Sequence, residues 1–311
     1  MKTMKNLMGP KGMTYVVMAF FMFLASCSDN NKIDYSANDN ANVQSEANSD
    51  AQTEDTDDMS ALAVSADDGT LSGGRPDESF GTPRDISKDK LDDRFKCATV
   101  TLTFATDNNT TVVPNVIHGF ITINFGTGCT GPGGHIRTGI IKIEFQGRRF
   151  LPGSKIITTF QNYTVDGIKL EGTRTLTNTS ASETSAVSFS IVEDGMKVTW
   201  PDATFATRSS SRTRTWNRTA NPTGDSWTVT GSATGTNRKG KEYSMTITKA
   251  LVYKRACAIS NKVFMAVEGT KELTTDNKKV TIDYGSGECD NKVTITINGK
   301  SKVVEATSDG N

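Results

Sequence analysis

The sequence predicts an all-β fold, an antiparallel sheet arranged as a sandwich or an extended meander, after a disordered N-terminal tether. Apolar and polar residues alternate in segments rich in β-branched residues, such as VTLTF at 100–104 and FITINF at 120–125, and this period of two is typical of strands with one buried face. Turn-forming dipeptides such as Asp166-Gly167 and Asn298-Gly299 separate these segments. Connections this short favour antiparallel pairing, because parallel strands need crossovers of a dozen or more residues.

Further strands are predicted along the same region. In chain order they cover residues 140–145, 156–163, 187–192, 227–230, 243–248, 280–284 and 293–297. Residues 84–95 are the one stretch whose pattern suggests a helix. The region 96–305 is long enough for a substantial all-β core, either as one domain or as two lobes at about 96–200 and 201–305. Residues 306–311 are predicted to be a disordered tail.

The N-terminus, residues 1–26, has the pattern of a secretory signal peptide. Lys2, Lys5 and Lys11 form a positive region, and an almost wholly apolar run follows from Val16 to Ala25. This run is about half of the ~20 apolar residues that a helix needs to cross a bilayer. The segment therefore predicts export rather than a stable transmembrane anchor.

Leu24-Ala25-Ser26-Cys27 resembles the bacterial lipobox, in which the cysteine thiol takes the lipid. The resemblance implies that Cys27 is the lipidated, palmitate-bearing first residue of the mature protein. Burial of acyl methylenes contributes about 0.8 kcal/mol each, so two or three chains hold a protein on a membrane. Ser28-Asp29 after the cysteine resembles outer-membrane sorting and the surface-export signal of Bacteroidota lipoproteins. An ordinary signal peptide with a chance cysteine is the alternative.

Residues 27–95 are predicted to be a lipidated, disordered and acidic linker. Asn, Asp, Ser, Ala and Thr dominate after Cys27 and aromatic residues are nearly absent, so the segment cannot bury enough apolar surface to offset its ordering entropy. Lys and Arg number 35 in the whole chain, as do Asp and Glu. The whole chain therefore has no formal net charge. Because the linker is acidic, the folded part must carry a small positive net charge.

Two internal similarities suggest a domain built from a repeated strand–bend–strand unit. LEGTRTLTN at 170–178 recurs as VTGSATGTN at 229–237 and as VEGTKELTT at 267–275. ITINFGTGC at 121–129 matches VTIDYGSGEC at 280–289 with one insertion. A glycine within a strand permits a bulge or a sharp bend. Chance similarity among threonine-rich strands is the alternative for the nine-residue repeat.

Two disulfides are predicted from the four cysteines that follow Cys27, since exported chains with an even number of cysteines usually pair them. Cys97 and Cys129 are 32 residues apart, and so are Cys257 and Cys289; this equal spacing favours these two pairs. A loop of this length gives about 4 kcal/mol in the chain-entropy model. Pairing between the two halves is the alternative.

These features together resemble a family of uncharacterised β-rich lipoproteins of flavobacteria and other Bacteroidota. The resemblance rests on the lipobox, the acidic linker and the segments EGTRTLTN, TRTW, TGSATGTN, IDYGSGECDN and VTITING, and it spans most of residues 96–305. The resemblance implies a cellular location at the outer membrane or cell surface and a β-rich architecture. It brings no reaction, cofactor or ligand.

No catalytic motif is found, and no enzyme activity, cofactor or metal is predicted. The chain lacks GxSxG, HExxH and P-loop patterns, and neither His118 nor His135 lies at ligand spacing from the cysteines. The repeated Glu171 and Glu268 are interpreted as cross-strand partners of Lys or Arg rather than as a glycosidase pair. A calcium site is considered at Asp283, Glu288 and Asp290, but their spacing does not match an EF-hand.

One segment, SRTRTWNRT, suggests a binding surface. It places Arg212, Arg214, Trp216 and Arg218 at a period of two, so these side chains project from one face of a strand. Guanidinium groups around an indole can bind an anionic glycan or another polyanion. A solvated face, with arginine stems covering the tryptophan, is the alternative. Nucleic acid is not expected as a partner, because the predicted address is outside the cytoplasm.

The sequence therefore predicts a non-enzymatic outer-membrane or cell-surface lipoprotein that presents a disulfide-stapled β domain for binding or envelope structure. Its expected partners are the membrane, through the lipid anchor, and an anionic glycan or an envelope protein. An enzyme acting on extracellular polysaccharide or peptide, or a subunit of an envelope complex, is the alternative.

Overall fold

The computed structural model of the chain describes residue 60 and residues 83–87, 93–105, 118–131, 134–183, 185–261, 263, 265–275 and 278–305. Within these residues, fourteen antiparallel strands form one sheet in which each strand pairs with the next along the chain. The all-β antiparallel prediction is confirmed, and the arrangement is a meander. The strands are β1 (Arg84–Asp85), β2 (Thr99–Phe104), β3 (His118–Thr130), β4 (Ile136–Gln146), β5 (Lys155–Val165), β6 (Ile168–Asn178), β7 (Val187–Thr199), β8 (Phe205–Asn217), β9 (Ser226–Thr236), β10 (Glu242–Lys254), β11 (Glu268–Thr275), β12 (Lys278–Ser286), β13 (Lys292–Ile297) and β14 (Lys300–Glu305).

The start of the sheet differs from the prediction. The expected helix at 84–95 is wrong where the structure describes this stretch, because Arg84 and Asp85 pair with β2 and residues Asp93–Phe95 form a 3-10 turn. Phe95 is fully buried, and this burial draws the turn onto the sheet. The described sheet therefore begins before residue 96. The predicted signal peptide, Cys27 and the tail at 306–311 lie outside the described residues.

Alternation along the strands buries one face of the sheet, which we call the buried face. In β3 and β4, for example, Ile121, Ile123, Ile141 and Ile143 have no exposed surface, while the residues between them are at least partly exposed. Each such side chain contributes about 1.5–3 kcal/mol on burial. Among the described residues, no helix has the length and apolar character needed to span a bilayer.

The buried face carries two large apolar clusters. The first runs from Phe95 to Ile191 and the second from Val229 to Ile297. The strand between them, β8, contributes Ala206 together with buried arginine and serine side chains. The described strands thus form one continuous sheet, as expected for one domain. Its apolar core is divided near β8, close to the boundary expected for two lobes.

The glycine in the first copy of the cysteine-bearing repeat lies at an irregularity of the sheet. Gly126 has a φ of 62°, and the register between β3 and β4 shifts on both sides of it. A residue with a side chain is disfavoured at this φ, which explains the glycine. The predicted use of a mid-strand glycine at a bulge is confirmed here.

The structure contains both favoured disulfides, Cys97–Cys129 and Cys257–Cys289, with Cα–Cα distances of 5.5 and 5.1 Å. Cross-half pairing is thereby excluded. Cys129 belongs to the first apolar cluster, and Cys257 packs with Val263 and Val267 in a small third cluster. Each bridge therefore closes a loop within one half of the sheet.

Candidate aromatic and basic site

The four predicted binding residues, on β8 and directly after it, lie in two different environments. Arg212 projects from the buried face and is only 8% exposed, so the structure does not bring it to an accessible surface. Arg214 is partly buried, with Phe189 and Val229 as its register partners on β7 and β9. Trp216 lies near the end of β8 and Arg218 follows the strand, exposed to solvent. The alternation was predicted correctly, but most of the shared face is buried.

The first environment is a buried charge cluster formed by Arg174, Glu193, Arg208, Ser210 and Arg212. The Glu193 carboxylate lies 3.2 Å from Nε of Arg208 and 4.0 Å from Nε of Arg174. The Ser210 hydroxyl donates a hydrogen bond to Oε2 of Glu193 at 2.5 Å. All five residues are at most 8% exposed. The cluster thus lies between the two apolar clusters and combines three guanidinium groups with one carboxylate.

The arginines keep Glu193 ionised despite its burial. Burial alone raises the pKa of the Glu193 carboxyl, because the charged form loses its hydration. The guanidinium groups of Arg208, Arg212 and Arg174 and the Ser210 hydrogen bond oppose this effect, and the net pKa lies below its ordinary value. Glu193 is therefore an anion at neutral pH.

The second environment is an aromatic–basic cluster formed by Arg149, Phe150, Phe189, Trp216, Arg218 and Trp227. The ring centroid of Phe150 lies 6.4 Å from the ring centroid of Phe189 and 6.1 Å from that of Trp216. Trp216 is the register partner of Trp227, at a ring distance of 6.4 Å. Phe150 is 47% exposed, so the cluster reaches solvent.

Two guanidinium groups lie over these rings. Cζ of Arg218 is 4.2 Å from the centroid of Trp216 and 5.6 Å from that of Phe150. Cζ of Arg149 is 5.6 Å from Phe150 and 5.7 Å from Phe189. Distances within about 6 Å place each cation in the attractive field of the ring. The cluster therefore presents flat apolar rings and planar charged donors side by side.

Asp225 fixes the orientation of Trp216. Its carboxylate accepts hydrogen bonds from the backbone N–H of Thr219 at 2.8 Å and from Nε1 of Trp216 at 3.2 Å. The hydrogen bond from the Thr219 backbone, followed by those from the Thr219 hydroxyl and the Trp216 indole, lowers the pKa of Asp225 more than burial raises it. The ionised carboxylate thus ties the turn between β8 and β9 to the indole.

The other singled-out residues form local structure. His118 lies 3.0 Å from Glu144, and His135 lies 2.7 Å from Asp166. Glu268 forms an ion pair with Lys249 of the neighbouring strand at 3.0 Å, as the cross-strand interpretation predicts, whereas Glu171 pairs with Lys169 on its own strand.

The carboxylates considered for calcium serve their own turns. Asp283 accepts the backbone N–H of Gly285, Glu288 accepts from Ser286, and Asp290 accepts the backbone N–H of Lys292. In the part of the chain that the structure describes, no three His, Cys, Asp or Glu side chains converge as metal ligands.

Sequence reasoning missed Glu193, Arg149, Phe150 and Trp227. Glu193 continues the inward alternation of Val187, Phe189 and Ile191, so the strand pattern itself could have marked it as a buried carboxylate. Arg149 and Phe150 lie in the connection between β4 and β5, where no periodicity indicates which way a side chain points.

Comparison of the chain with protein-family models, with curated proteins and with solved structures finds no match.

Proposed function

We propose that the chain is a lipid-anchored protein of the outer membrane, exposed at the cell surface, and that its β domain binds an anionic glycan through the aromatic–basic cluster. The address is supported by the sequence Leu24-Ala25-Ser26-Cys27 after a signal-like segment. The binding function is supported by the geometry around Phe150.

The observation that carries the proposal is the partly exposed Phe150 ring, with the guanidinium groups of Arg149 and Arg218 lying over the same ring. A sugar ring packs its apolar face against an aromatic ring, which offers a large flat surface. A carboxylate or sulfate on that sugar accepts paired hydrogen bonds from a guanidinium fork. Rings and forks are adjacent here, so one anionic sugar unit engages both.

The site is also held in place before any ligand arrives. The Trp216–Trp227 pair joins two neighbouring strands, and Asp225 holds the Trp216 indole. Because side chains ordered in advance lose little further entropy on binding, such a site gains affinity. This arrangement favours recognition over a purely solvated strand face.

Retention of the purified domain on immobilised heparin, a sulfated polysaccharide, tests the ligand. The variants Phe150→Ala and Arg218→Ser are each expected to weaken binding about tenfold, which corresponds to about 1.4 kcal/mol. Phe205→Ala is the matched control, because Phe205 is 48% exposed and also has a cation, Lys197, over its ring at 4.6 Å. Equal retention of all three variants and the parent would end the glycan proposal.

The address has a separate test. A mass spectrum of the mature N-terminus from cells is expected to show an acylated Cys27, and protease treatment of intact cells is expected to remove the β domain. An unmodified Cys27 would contradict the anchoring proposal whatever the outcome on heparin.

A further inference from the structure

Asp225 connects the aromatic–basic cluster to the second half of the sheet. Its carboxylate holds the Trp216 indole, and its backbone carbonyl accepts the backbone N–H of Arg255 at 3.0 Å. Trp227 makes a second connection, because it is the register partner of Trp216 on β8 and of Tyr253 on β10. Asp225 is 4% exposed, so both of its contacts lie inside the protein. The position of the indole therefore depends on the residues that follow β10.

A disulfide holds the chain directly after Arg255. A single π-helical turn begins at Cys257, which has no exposed surface and is bridged to Cys289. The loop that carries Cys289 is also bound to the end of β10, since Nζ of Lys254 donates a hydrogen bond to the carbonyl oxygen of Gly287 at 2.7 Å. Single π-helical turns are rare and frequently lie at functional sites. The bridge therefore fixes the segment from which Arg255 reaches the cluster.

The bridge is open to thiol–disulfide exchange at one of its two cysteines. Cys289 is partly exposed, whereas Cys257 is not exposed at all. A thiolate of a dithiol reductant attacks Sγ of Cys289, and Cys257 leaves as a thiolate that takes up a proton. The second thiol of the reductant then breaks the mixed disulfide and releases Cys289 as a thiol. Two electrons and two protons pass from the reductant to the two cysteines, and the reductant becomes a disulfide.

We propose that the Cys257–Cys289 bridge controls the aromatic–basic cluster through Arg255 and Asp225. With the bridge intact, Asp225 holds the Trp216 indole in the cluster. Reduction by a dithiol frees the segment after β10, loosens the indole and weakens glycan binding. Because such coupling is reciprocal, a bound glycan also makes the bridge harder to reduce. The ligand in this inference rests on the proposed function, whereas the state of the indole does not.

Hydrogen exchange of the Trp216 indole N–H, followed by NMR in the full-length chain, tests the coupling without a ligand. Cys257→Ser with Cys289→Ser is expected to speed this exchange about tenfold, because the hydrogen bond of the indole opens more often. Cys97→Ser with Cys129→Ser is the matched control, since it opens a loop of equal length, and it should keep the exchange rate of the parent. Equal rates in the two variants would overturn the proposal.

Treatment with dithiothreitol repeats the test on protein that has already folded. In the Cys97→Ser, Cys129→Ser variant, where Cys257–Cys289 is the bridge that remains, dithiothreitol is expected to speed the indole exchange and to lower retention on immobilised heparin about tenfold. The Cys257→Ser, Cys289→Ser variant should not respond. A bridge that dithiothreitol does not reduce in the native protein, or an exchange rate that its reduction leaves unchanged, would contradict the proposal. A parent that heparin does not retain would contradict the proposed function, and the indole exchange then decides this inference alone.

Asp225→Ala tests the connecting residue with both bridges intact. It removes the acceptor of the Trp216 indole N–H, so it is expected to reproduce the fast exchange and the weak retention of the reduced protein. Asp202→Ala is the control, because Asp202 accepts the backbone N–H of Thr204 at 3.1 Å in the turn at the other end of β8, and parent behaviour is expected. An indole in Asp225→Ala that still responds to dithiothreitol would rule out the route through Asp225.

Discussion

At the scale of single residues, Glu193 holds together the least apolar part of the core. It is 2% exposed and lies between arginines that come from two different strands, Arg174 on β6 and Arg208 and Arg212 on β8. Buried ion pairs add little net stability against an apolar core of equal volume, but removal of one partner leaves the other buried and charged. The cluster therefore depends on every one of its members.

Glu193→Gln is expected to lower the free energy of unfolding by about 3 kcal/mol, because it removes the anion and leaves the arginines. Urea unfolding at neutral pH measures this change. Glu242→Gln, a substitution at an exposed position at the start of β10, is expected to change stability by less than about 0.5 kcal/mol. Similar losses for the two variants would contradict the role assigned to the cluster.

The same residue should make the protein sensitive to acid. The folded-state pKa of Glu193 lies below its unfolded value, so its stabilising contribution is complete above the unfolded value of about 4.3. This contribution is lost as the pH falls through the folded-state pKa. Below about pH 4, Glu193→Gln should therefore lose less stability per pH unit than the parent does.

The sequence contained part of this information at the residue scale. Alternation placed Arg212, Arg214, Trp216 and Arg218 on one face. The structure confirms this for the first three, whereas Arg218 lies beyond the end of β8. Alternation did not show that this face of β8 is buried. The other face carries Ser and Thr residues, so neither face of the strand is distinctly apolar in the sequence. Convergence of Arg174 and Arg208 on Glu193 depends on strand register, which alternation does not determine.

At the scale of elements, Gly231 is the residue of β9 that pairs with Arg212 of β8, and it leaves no room for a side chain. Gly231 has a φ of 130°, and a Cβ atom at this position would lie 2.2 Å from the carbonyl oxygen of Ser211 and 2.7 Å from Cα of Arg212. Both atoms belong to the backbone, so neither can move aside without shifting the strand. Glycine at this position therefore allows β9 to pair with β8 beside Arg212 of the buried charge cluster.

Gly231→Ala is accordingly expected to destabilise the fold by about 2–3 kcal/mol, through both backbone strain and the clash with β8. Gly128→Ala is the control, because Gly128 has no atoms within 4 Å of a Cβ position and its φ is not in the left-handed region. Thermal unfolding of the two variants provides the comparison. A stable Gly231→Ala protein would show that the two strands can separate locally at little cost.

The existence of most strands was predictable, whereas their lengths were not; β1 lies where a helix was expected, and β14 was not predicted. The predicted segments cover four to eight residues, while β3 to β10 each contain 11 or 13 residues. The strands continue past glycine and asparagine residues with positive φ, such as Gly126 and Asn162, where the register shifts. At Asn162 the alternation also changes phase, because the buried positions of β5 are even-numbered before it and odd-numbered after it. A bulge moves later side chains to the opposite face, and a pattern of period two ends there.

At the scale of the whole molecule, connectivity keeps most contacts of each half of the sheet within that half. Every strand pairs with its neighbours in the chain, and the two apolar clusters lie on opposite sides of β8 in the sequence. Each disulfide closes a loop within one half, and the equal cysteine spacing predicted these pairs. The buried charge cluster that divides the apolar face was not predictable, because it combines residues of three strands. The halves can therefore differ in stability although they share one sheet.

Removal of one disulfide should reveal this difference. Cys257→Ser with Cys289→Ser deletes the bridge of the second half and is expected to cost about 4 kcal/mol in the chain-entropy model. Hydrogen exchange should then speed up in β10 to β13 and change little in β3 to β6, because local opening follows the elements that have lost stabilisation. Cys97→Ser with Cys129→Ser should give the reverse pattern. Uniform acceleration in both variants would show instead that the continuous sheet transmits the loss, and that the fourteen strands unfold as one cooperative unit.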